Sequence, residues 1–294
     1  MNYYLKSFIS SITRFVPDEV YLRVVYRLTM KGRKLHLNPP VTYNEKLHWL
    51  KIHDHNPLYT TLVDKYEMKE CVANVIGKEY IIPTIGVWER IEDIDVESLP
   101  NQFVIKTTHD SGGVCICKDK GEFDWDVCKK KLGRSLATNF YLLGREWPYK
   151  NVKRRIIAEK YMEDAETKEL RDYKFFCFEG IAKLMFIASG RQIRKEPYFD
   201  FYDMEFNHID MRHGHPNAPV PPKKPQTFDL MKSLSEKICK ELNLFHARVD
   251  FYEVNGKPYL GEITLYHHNG NVIFDPEEWD YKLGEWIDLS KVNI

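Results

Sequence analysis

The chain lacks an excess of charge of either sign. Lys and Arg together number 43, as do Asp and Glu, so 294 residues carry no formal net charge. No whole-chain field draws nucleic acid or an anionic surface, and nucleic acid is not an expected partner. The six cysteines (Cys71, Cys115, Cys117, Cys128, Cys177, Cys239) include no C-x-x-C pair and no zinc-type spacing. A reducing cytoplasm fits such scattered thiols better than a disulfide framework. Long apolar runs are missing too. The amino end is broken by Lys6 and Arg14, too early for a signal core or a bilayer span, and the chain reads as soluble. Tyr3, Tyr4, Phe8, Ile12 and Phe15 can share one helical face, which leaves peripheral membrane contact open beside packing on the protein body.

What is present concentrates near the carboxyl end. Phe245 to Val254 alternates and is rich in β-branched and aromatic residues, and Asn255-Gly256 supplies the positive-φ positions of a tight turn. The partner strand carries Tyr259-Leu-Gly-Glu-Ile-Thr264. Residues two apart share a face, so Arg248, Asp250 and Tyr252 point one way, and Glu262 with Thr264 lines one face of the partner. Arg248, Asp250 and Glu262 can therefore converge. A magnesium ion carrying phosphates satisfies both signs of charge there, and an ordinary hairpin with a cross-strand salt bridge gives the same pattern.

Upstream, apolar spacing predicts helices over 17–31, from the Thr42-Tyr-Asn-Glu45 capping box through Ile52, and from about Thr60 to the Gly77 stop. Lys65 on the third helix reads as a surface residue unless its context says otherwise. A strand is expected over 80–88. Phe103 to Lys106, Thr107 to Gly113 and Val114 to Cys117 read as strand, glycine loop, strand. Lys106 beside Ser111-Gly112-Gly113 is a phosphate-cradle candidate, though Ser-Gly-Gly also makes plain hairpins, and the loop is neither a P-loop nor a dinucleotide fingerprint. A basic helix over 124–146 and strands over 155–162, 171–178 and 181–188 follow. Lys174 shares a strand face with Asp172 and Phe176, where a charge needs a partner. Residues 190–225 look irregular; His208, His213 and His215 lie there without a completing metal-ligand set. A helix from Thr227 leads into the hairpin, and His267 to Asn271 forms a polar loop beyond it.

In this order, Thr42-Tyr-Asn-Glu-Lys-Leu, Asp64-Lys65, Val104-Ile-Lys106 with Ser111-Gly-Gly113, Asp172-Tyr-Lys-Phe175, Arg248-Val-Asp-Phe-Tyr252 and Gly261-Glu-Ile-Thr264 resemble the TupA-like proteins of the ATP-grasp superfamily over about residues 40–290. The resemblance implies an α+β ATP-grasp fold, two lobes with mainly antiparallel sheets clamping the nucleotide. A helical region, 1–60, precedes a nucleotide lobe of about 61–161 and a metal and catalytic lobe of about 162–294. It makes Lys65 and Lys106 the phosphate lysines, with Ser111, Gly112 and Gly113 closing over the triphosphate. Glu159, Lys160, Tyr161 and Met162 become the adenine hinge, and Glu166 reaches the ribose. Asp250 and Glu262 hold Mg²⁺, with Thr264 where many ligases of this kind have Asn. Arg248 and Lys174 are the catalytic candidates. The implied activity is an ATP- and Mg²⁺-dependent carboxylate–amine ligase joining an amino acid or amino sugar to a uronic acid in bacterial surface-polysaccharide synthesis. It works in the cytoplasm, with contact to the inner membrane face or a lipid-linked saccharide left open. A glycosyltransferase is the alternative, resting on Asp93-Ile-Asp95 and Asp124-Trp-Asp126.

Overall fold

A computed structural model describes residues 12–191 and 194–292. The aromatic positions at 3, 4 and 8 of the expected amphipathic segment lie outside the described residues. The chain runs through helices α1 (Asp18–Thr29), α2 (Tyr43–His53), α3 (Leu58–Val63) and α4 (Glu67–Ile76), then strands β1 (Thr84–Trp88), β2 (Phe103–Thr107) and β3 (Val114–Cys117). Helices α5 (Trp125–Ala137) and α6 (Tyr141–Gly144) precede β4 (Ile156–Lys160), β5 (Asp172–Phe178), β6 (Ile181–Ser189), β7 (Tyr198–Tyr202), β8 (His208–Ile209) and β9 (Arg212–His213). Helix α7 (Phe228–Glu241), strands β10 (His246–Val254), β11 (Lys257–Thr264) and β12 (Phe274–Asp275), and α8 (Glu278–Glu285) complete the order. Among the described residues no helix is long and apolar enough to cross a membrane.

Two compact units interleave along the sequence. The first holds the described residues through Val16, Pro57–Cys71 and Ile81–Met162; the second holds Pro17–Asn56, Val72–Tyr80 and the residues after Met162. The segment 17–56, expected as part of a separate amino-terminal region, thus groups with the carboxyl-terminal residues.

In the first unit an antiparallel sheet has the order β1-β4-β2-β3. Phe103 and Ile105 of β2 point into a core with Ile156, Ala158, Cys128 and Leu132, which leaves Val104 and Lys106 on the opposite face. The helix expected from Thr60 to Gly77 is broken. Asp64 accepts hydrogen bonds from the backbone N–H groups of Tyr66 (2.8 Å) and Glu67 (3.3 Å), starting α4 afresh, and it pairs with Arg155 at 2.9 Å. A carboxylate that caps a new helix cannot also continue the old one.

The second unit is built on a six-stranded antiparallel sheet, β11-β10-β5-β6-β7-β8. Strand β7 lies within the stretch expected to be irregular. Its Tyr-Phe-Asp-Phe-Tyr sequence has strong strand propensity and covers the edge of β6. Tyr173 and Phe175 of β5, with Val249 and Phe251 of β10, lie on one face. That face takes α7, whose Phe228, Met231, Leu234, Ser235 and Ile238 are buried at helical spacing. The other face carries Asp172, Lys174, Arg248 and Asp250. The expected capping box starts α2: Glu45 N donates to Thr42 Oγ1 at 3.3 Å, and Thr42 N to Glu45 Oε2 at 3.1 Å. This aims the fully buried Tyr43 among Phe176, Phe178 and Phe274.

Tyr43 also fixes a buried histidine. His246 Nδ1 lies 3.0 Å from the carbonyl oxygen of Cys177, so it must donate, and Nε2 then accepts from the Tyr43 hydroxyl at 3.0 Å. Burial lowers this imidazole to about 4 from 6.5. The folded state therefore binds fewer protons than the unfolded state below 6.5, and the stabilisation present above that value is lost as pH falls towards 4. Moving from pH 7 to pH 5 should cost about 2 kcal/mol through His246 alone. Thermal midpoints at the two pH values check this, and His246→Gln should remove that part of the difference.

Candidate functional site

The charged face of the second unit owes its arrangement to a β-bulge. Along β10 and β11, Arg248 lies opposite Thr264 and Asp250 opposite Glu262; past a shift in register, Phe251 lies opposite Leu260 and Tyr252 opposite Tyr259. Gly261 is the extra residue. Were Gly261 paired regularly with Asp250, Glu262 would lie opposite Val249 and point to the α7 face, since a one-residue slip exchanges the faces of a strand. A Cβ at 261 would lie 2.9 Å from the Tyr252 ring and 3.2 Å from the Asp250 carbonyl oxygen, so the bulge needs glycine.

The guanidinium of Arg248 donates through all three nitrogens. Nε donates to Asp250 Oδ1 and Nη2 to Asp250 Oδ2, both at 2.7 Å. Nη2 also reaches Glu262 Oε1 (3.2 Å) and Thr264 Oγ1 (3.0 Å), while Nη1 donates to His267 Nδ1 at 2.6 Å. Lys174 Nζ joins Asp250 to Asp172, the latter at 3.0 Å, and Asp172 pairs in turn with Arg191. Burial pushes the Asp172 carboxyl up, but Lys174 and Arg191 pull it down further, leaving it below the usual carboxylate range. Burial raises Asp250 against the pull of Arg248 and Lys174, and three hydrogen bonds from cations keep it an acceptor. The two carboxylates differ in exposure: the Asp250 side chain is 1% exposed and that of Glu262 is 43%.

In the first unit Lys106 leaves β2 on the face away from the core and meets Glu159 of β4, Nζ to Oε2 at 2.6 Å. Lys69 of α4 meets the other oxygen of Glu159, also at 2.6 Å, and the Ile82 carbonyl at 2.7 Å. Burial raises the Glu159 carboxyl, yet Lys106 and Lys69 bring it below the ordinary range. Lys65 stands apart, donating to the carbonyl of Asp110. Asp110 knits the glycine loop together. It accepts from Thr107 Oγ1, Ser135 Oγ and, at 3.3 Å, Gly113 N. A Cβ on Gly113 would meet Thr107 Oγ1 at 2.3 Å and Ser135 Oγ at 2.4 Å, whereas one on Gly112 would meet nothing closer than 3.6 Å. Thr107 to Asp110 and Gly113 are buried, so only Ser111 and Gly112 form an exposed tip.

The structure thus joins Arg248, Lys174, Asp250, Glu262 and Thr264 in one cluster, and Lys106 with Glu159 in another. Lys69 is the residue the sequence reading missed. Lys160 and Tyr161 line an open cleft of about 600 Å³ with Pro83, Ile85 and Gln102, and Met162 is buried. Glu166 is exposed in a turn of the second unit, its N–H bonded to Asp164 at 3.1 Å. Both D-x-D stretches are used locally: Asp124 caps α5 through Val127 N at 2.9 Å, and Asp95 closes a turn with Glu97 N at 3.0 Å.

A family model described as TupA-like ATPgrasp matches residues 45–288. No curated protein matches the chain. Similar solved structures include D-alanine–D-alanine ligase from Bacillus anthracis complexed with ATP (15% identity, TM-score 0.42, 77% of this chain and 57% of that one). L-amino acid ligase from Bacillus licheniformis (14%, TM-score 0.47, 87% and 57%) and D-alanine–D-alanine ligase from Helicobacter pylori (14%, TM-score 0.42, 84% and 69%) are others. The chain spans little more than half the length of the first and second of these.

Substitution separates the roles of the two carboxylates. Asp250→Asn leaves Arg248 and Lys174 buried without their shared anion and should cost about 3 to 5 kcal/mol of stability. Glu262→Gln alters a half-exposed contact and should cost less than about 1 kcal/mol. Chemical denaturation of both variants checks the contrast, and equal losses would contradict it.

Proposed function

Because the chain belongs to the TupA-like ATP-grasp family, we propose that it is an ATP-dependent carboxylate–amine ligase. The observation that carries this reading is the strip formed by Asp250, Glu262 and Thr264 beside Arg248, in register across β10 and β11. Mg²⁺ takes hard oxygen ligands, and the two carboxylates and the hydroxyl are of that type. Glu262 offers the more accessible oxygens; Asp250 would share its carboxylate with Arg248 and Lys174. Bound Mg²⁺ would supply neutralising charge to phosphate oxygens.

The remaining chemistry falls to the chain's own groups. Two ammonium groups on the one carboxylate of Glu159 leave an uncompensated positive charge at Lys106 and Lys69, suited to phosphate oxygens. In the reaction a substrate carboxylate oxygen attacks the terminal phosphorus of ATP, the bond to the β-phosphate oxygen breaks, and ADP leaves. The amine lone pair then attacks the acyl carbon, the C–O bond to phosphate breaks, and the amine gives up a proton as phosphate departs. Oxyanion charge in both steps is met by Arg248, whose Nη2 is held by Asp250 and Thr264. Lys174, enclosed between Asp172 and Asp250, holds the latter in place. The family resemblance supports a uronic acid as the carboxylate and an amino acid or amino sugar as the amine, in bacterial surface-polysaccharide synthesis. We place its action in the cytoplasm, with peripheral contact to the inner membrane face or to a lipid-linked saccharide.

Incubation with Mg·ATP, uronic acids and amino acids should release ADP, phosphate and an amide, and hydroxylamine in place of the amine should yield a hydroxamate. Lys106→Ala should lower kcat/KM for ATP by about 100-fold without unfolding the protein. Calorimetry showing tight binding of a nucleotide sugar and none of ATP would overturn the ligase reading.

A further inference from the structure

We propose that His267 and His213 act as a neutral imidazole pair that positions Arg248, a role that rests on the reading of Arg248 given above. Arg248 Nη1 lies 2.6 Å from His267 Nδ1, and His267 Nε2 lies 3.1 Å from His213 Nε2. A guanidinium has only donors and keeps its charge. The Nδ1 of His267 is therefore an acceptor, and the ring's one hydrogen sits on Nε2. That hydrogen points at His213 Nε2, which accepts and carries its own hydrogen on Nδ1. One donor that cannot change sides thus sets the tautomers of two rings in series.

Packing holds the series in place. His267 is fully buried, edge-on to Phe176 at 4.8 Å. His213 is 1% exposed, with Phe186, Phe199, Phe201 and Phe274 at 4.9–5.7 Å. Burial, with the positive charge of Arg248 nearby, keeps both rings well below the ordinary histidine range and so neutral. The loop presenting His267 turns through two left-handed residues, His268 (φ 43°) and Asn269 (φ 60°), and Lys51 Nζ holds the Asn269 carbonyl at 2.9 Å. Such backbone persists only where its surroundings fix it. Chemically, a neutral acceptor is the useful choice. Asp250 already grips one edge of the guanidinium, and another carboxylate on Nη1 would remove charge that the reacting oxyanion needs; an imidazole aims the group and leaves its charge in place.

The ligand nitrogens of His213, His267 and His268 also lie within 4.8 Å of one another, as a three-histidine metal site would have them. A neutral imidazole has one ring lone pair, and in His267 Arg248 takes it. Metal ligation through Nε2 would require that hydrogen bond to break, so the geometry favours the pair over the metal.

Long-range ¹H–¹⁵N correlation spectra of the full chain, assigned with His267→Asn and His213→Gln, should show His267 with its hydrogen on Nε2 and His213 with its hydrogen on Nδ1 at pH 7. A hydrogen on Nδ1 of His267, or a charged ring at either position, would overturn the inference. This readout needs no activity, so absence of ATP-dependent turnover would defeat the ligase reading while the tautomers still decide the pairing. In the ligase assay, His267→Leu should lower kcat about 10- to 100-fold with KM for ATP within about 2-fold. His267→Asn, whose Oδ1 can accept near the place of Nδ1, should recover to within about 5-fold of the parent. Equal losses in the two variants would count against positioning. Stoichiometric zinc in the purified protein that disappears in His213→Gln would replace the pair with a metal site.

Discussion

The buried contact between Arg248 and Asp250 is the constraint on which the second unit turns. It sits within an alternating row, Arg191, Asp172, Lys174, Asp250, Arg248 and Glu262, each charge touching one of opposite sign. Removing such groups from water costs several kcal/mol per ion and is offset only when every charge has a close partner. The strand register provides the partners: Asp250 lies opposite Lys174 and Tyr252 opposite Asp172 across β10 and β5. A one-residue slip would turn these charges onto the face that packs Phe175 against Phe228. The ion row therefore adds little net stability and specifies one register.

Where local pattern determines local structure, the sequence could be read directly. The hairpin turns at Asn255 and Gly256 with φ of 52° and 71°, and the Thr42–Glu45 box caps its helix. Both depend on neighbours in the chain. Lys69 was illegible for the opposite reason. One helix from Thr60 would put Lys65 and Lys69 four residues apart on a single face, but Asp64 ends that helix with help from Arg155, a residue 91 positions away. The two lysines then part, Lys65 to the Asp110 carbonyl and Lys69 to Glu159. In the sequence His213 falls in an irregular stretch and His267 in a polar loop. They are buried because strands β5, β6 and β7 present aromatic rings to them, and no pattern near either residue reports that.

The glycine loop shows how one motif admits two physical meanings. A flexible cover over 107–113 is the natural reading of paired glycines. In the fold Gly113 serves close approach: its missing Cβ makes room for the Thr107 and Ser135 hydroxyls that Asp110 gathers. A buried carboxylate with that many donors resists displacement. Only Ser111 and Gly112 stand at the exposed tip.

Gly261 makes the matching case in the other unit. The motif Gly-Glu-Ile-Thr draws attention to its carboxylate, yet a carboxylate at 262 serves this site only if it faces Asp250. Regular pairing continued from Tyr252–Tyr259 would send Glu262 to the face of Val249. The extra residue at 261 reverses that parity, and the same reversal brings Thr264 opposite Arg248, where its hydroxyl accepts from Nη2. Any side chain at 261 must displace either the Tyr252 ring or the Asp250 backbone, both of which belong to the charged face. The absence of one Cβ, more than the presence of the acid, is what brings a second carboxylate to the guanidinium.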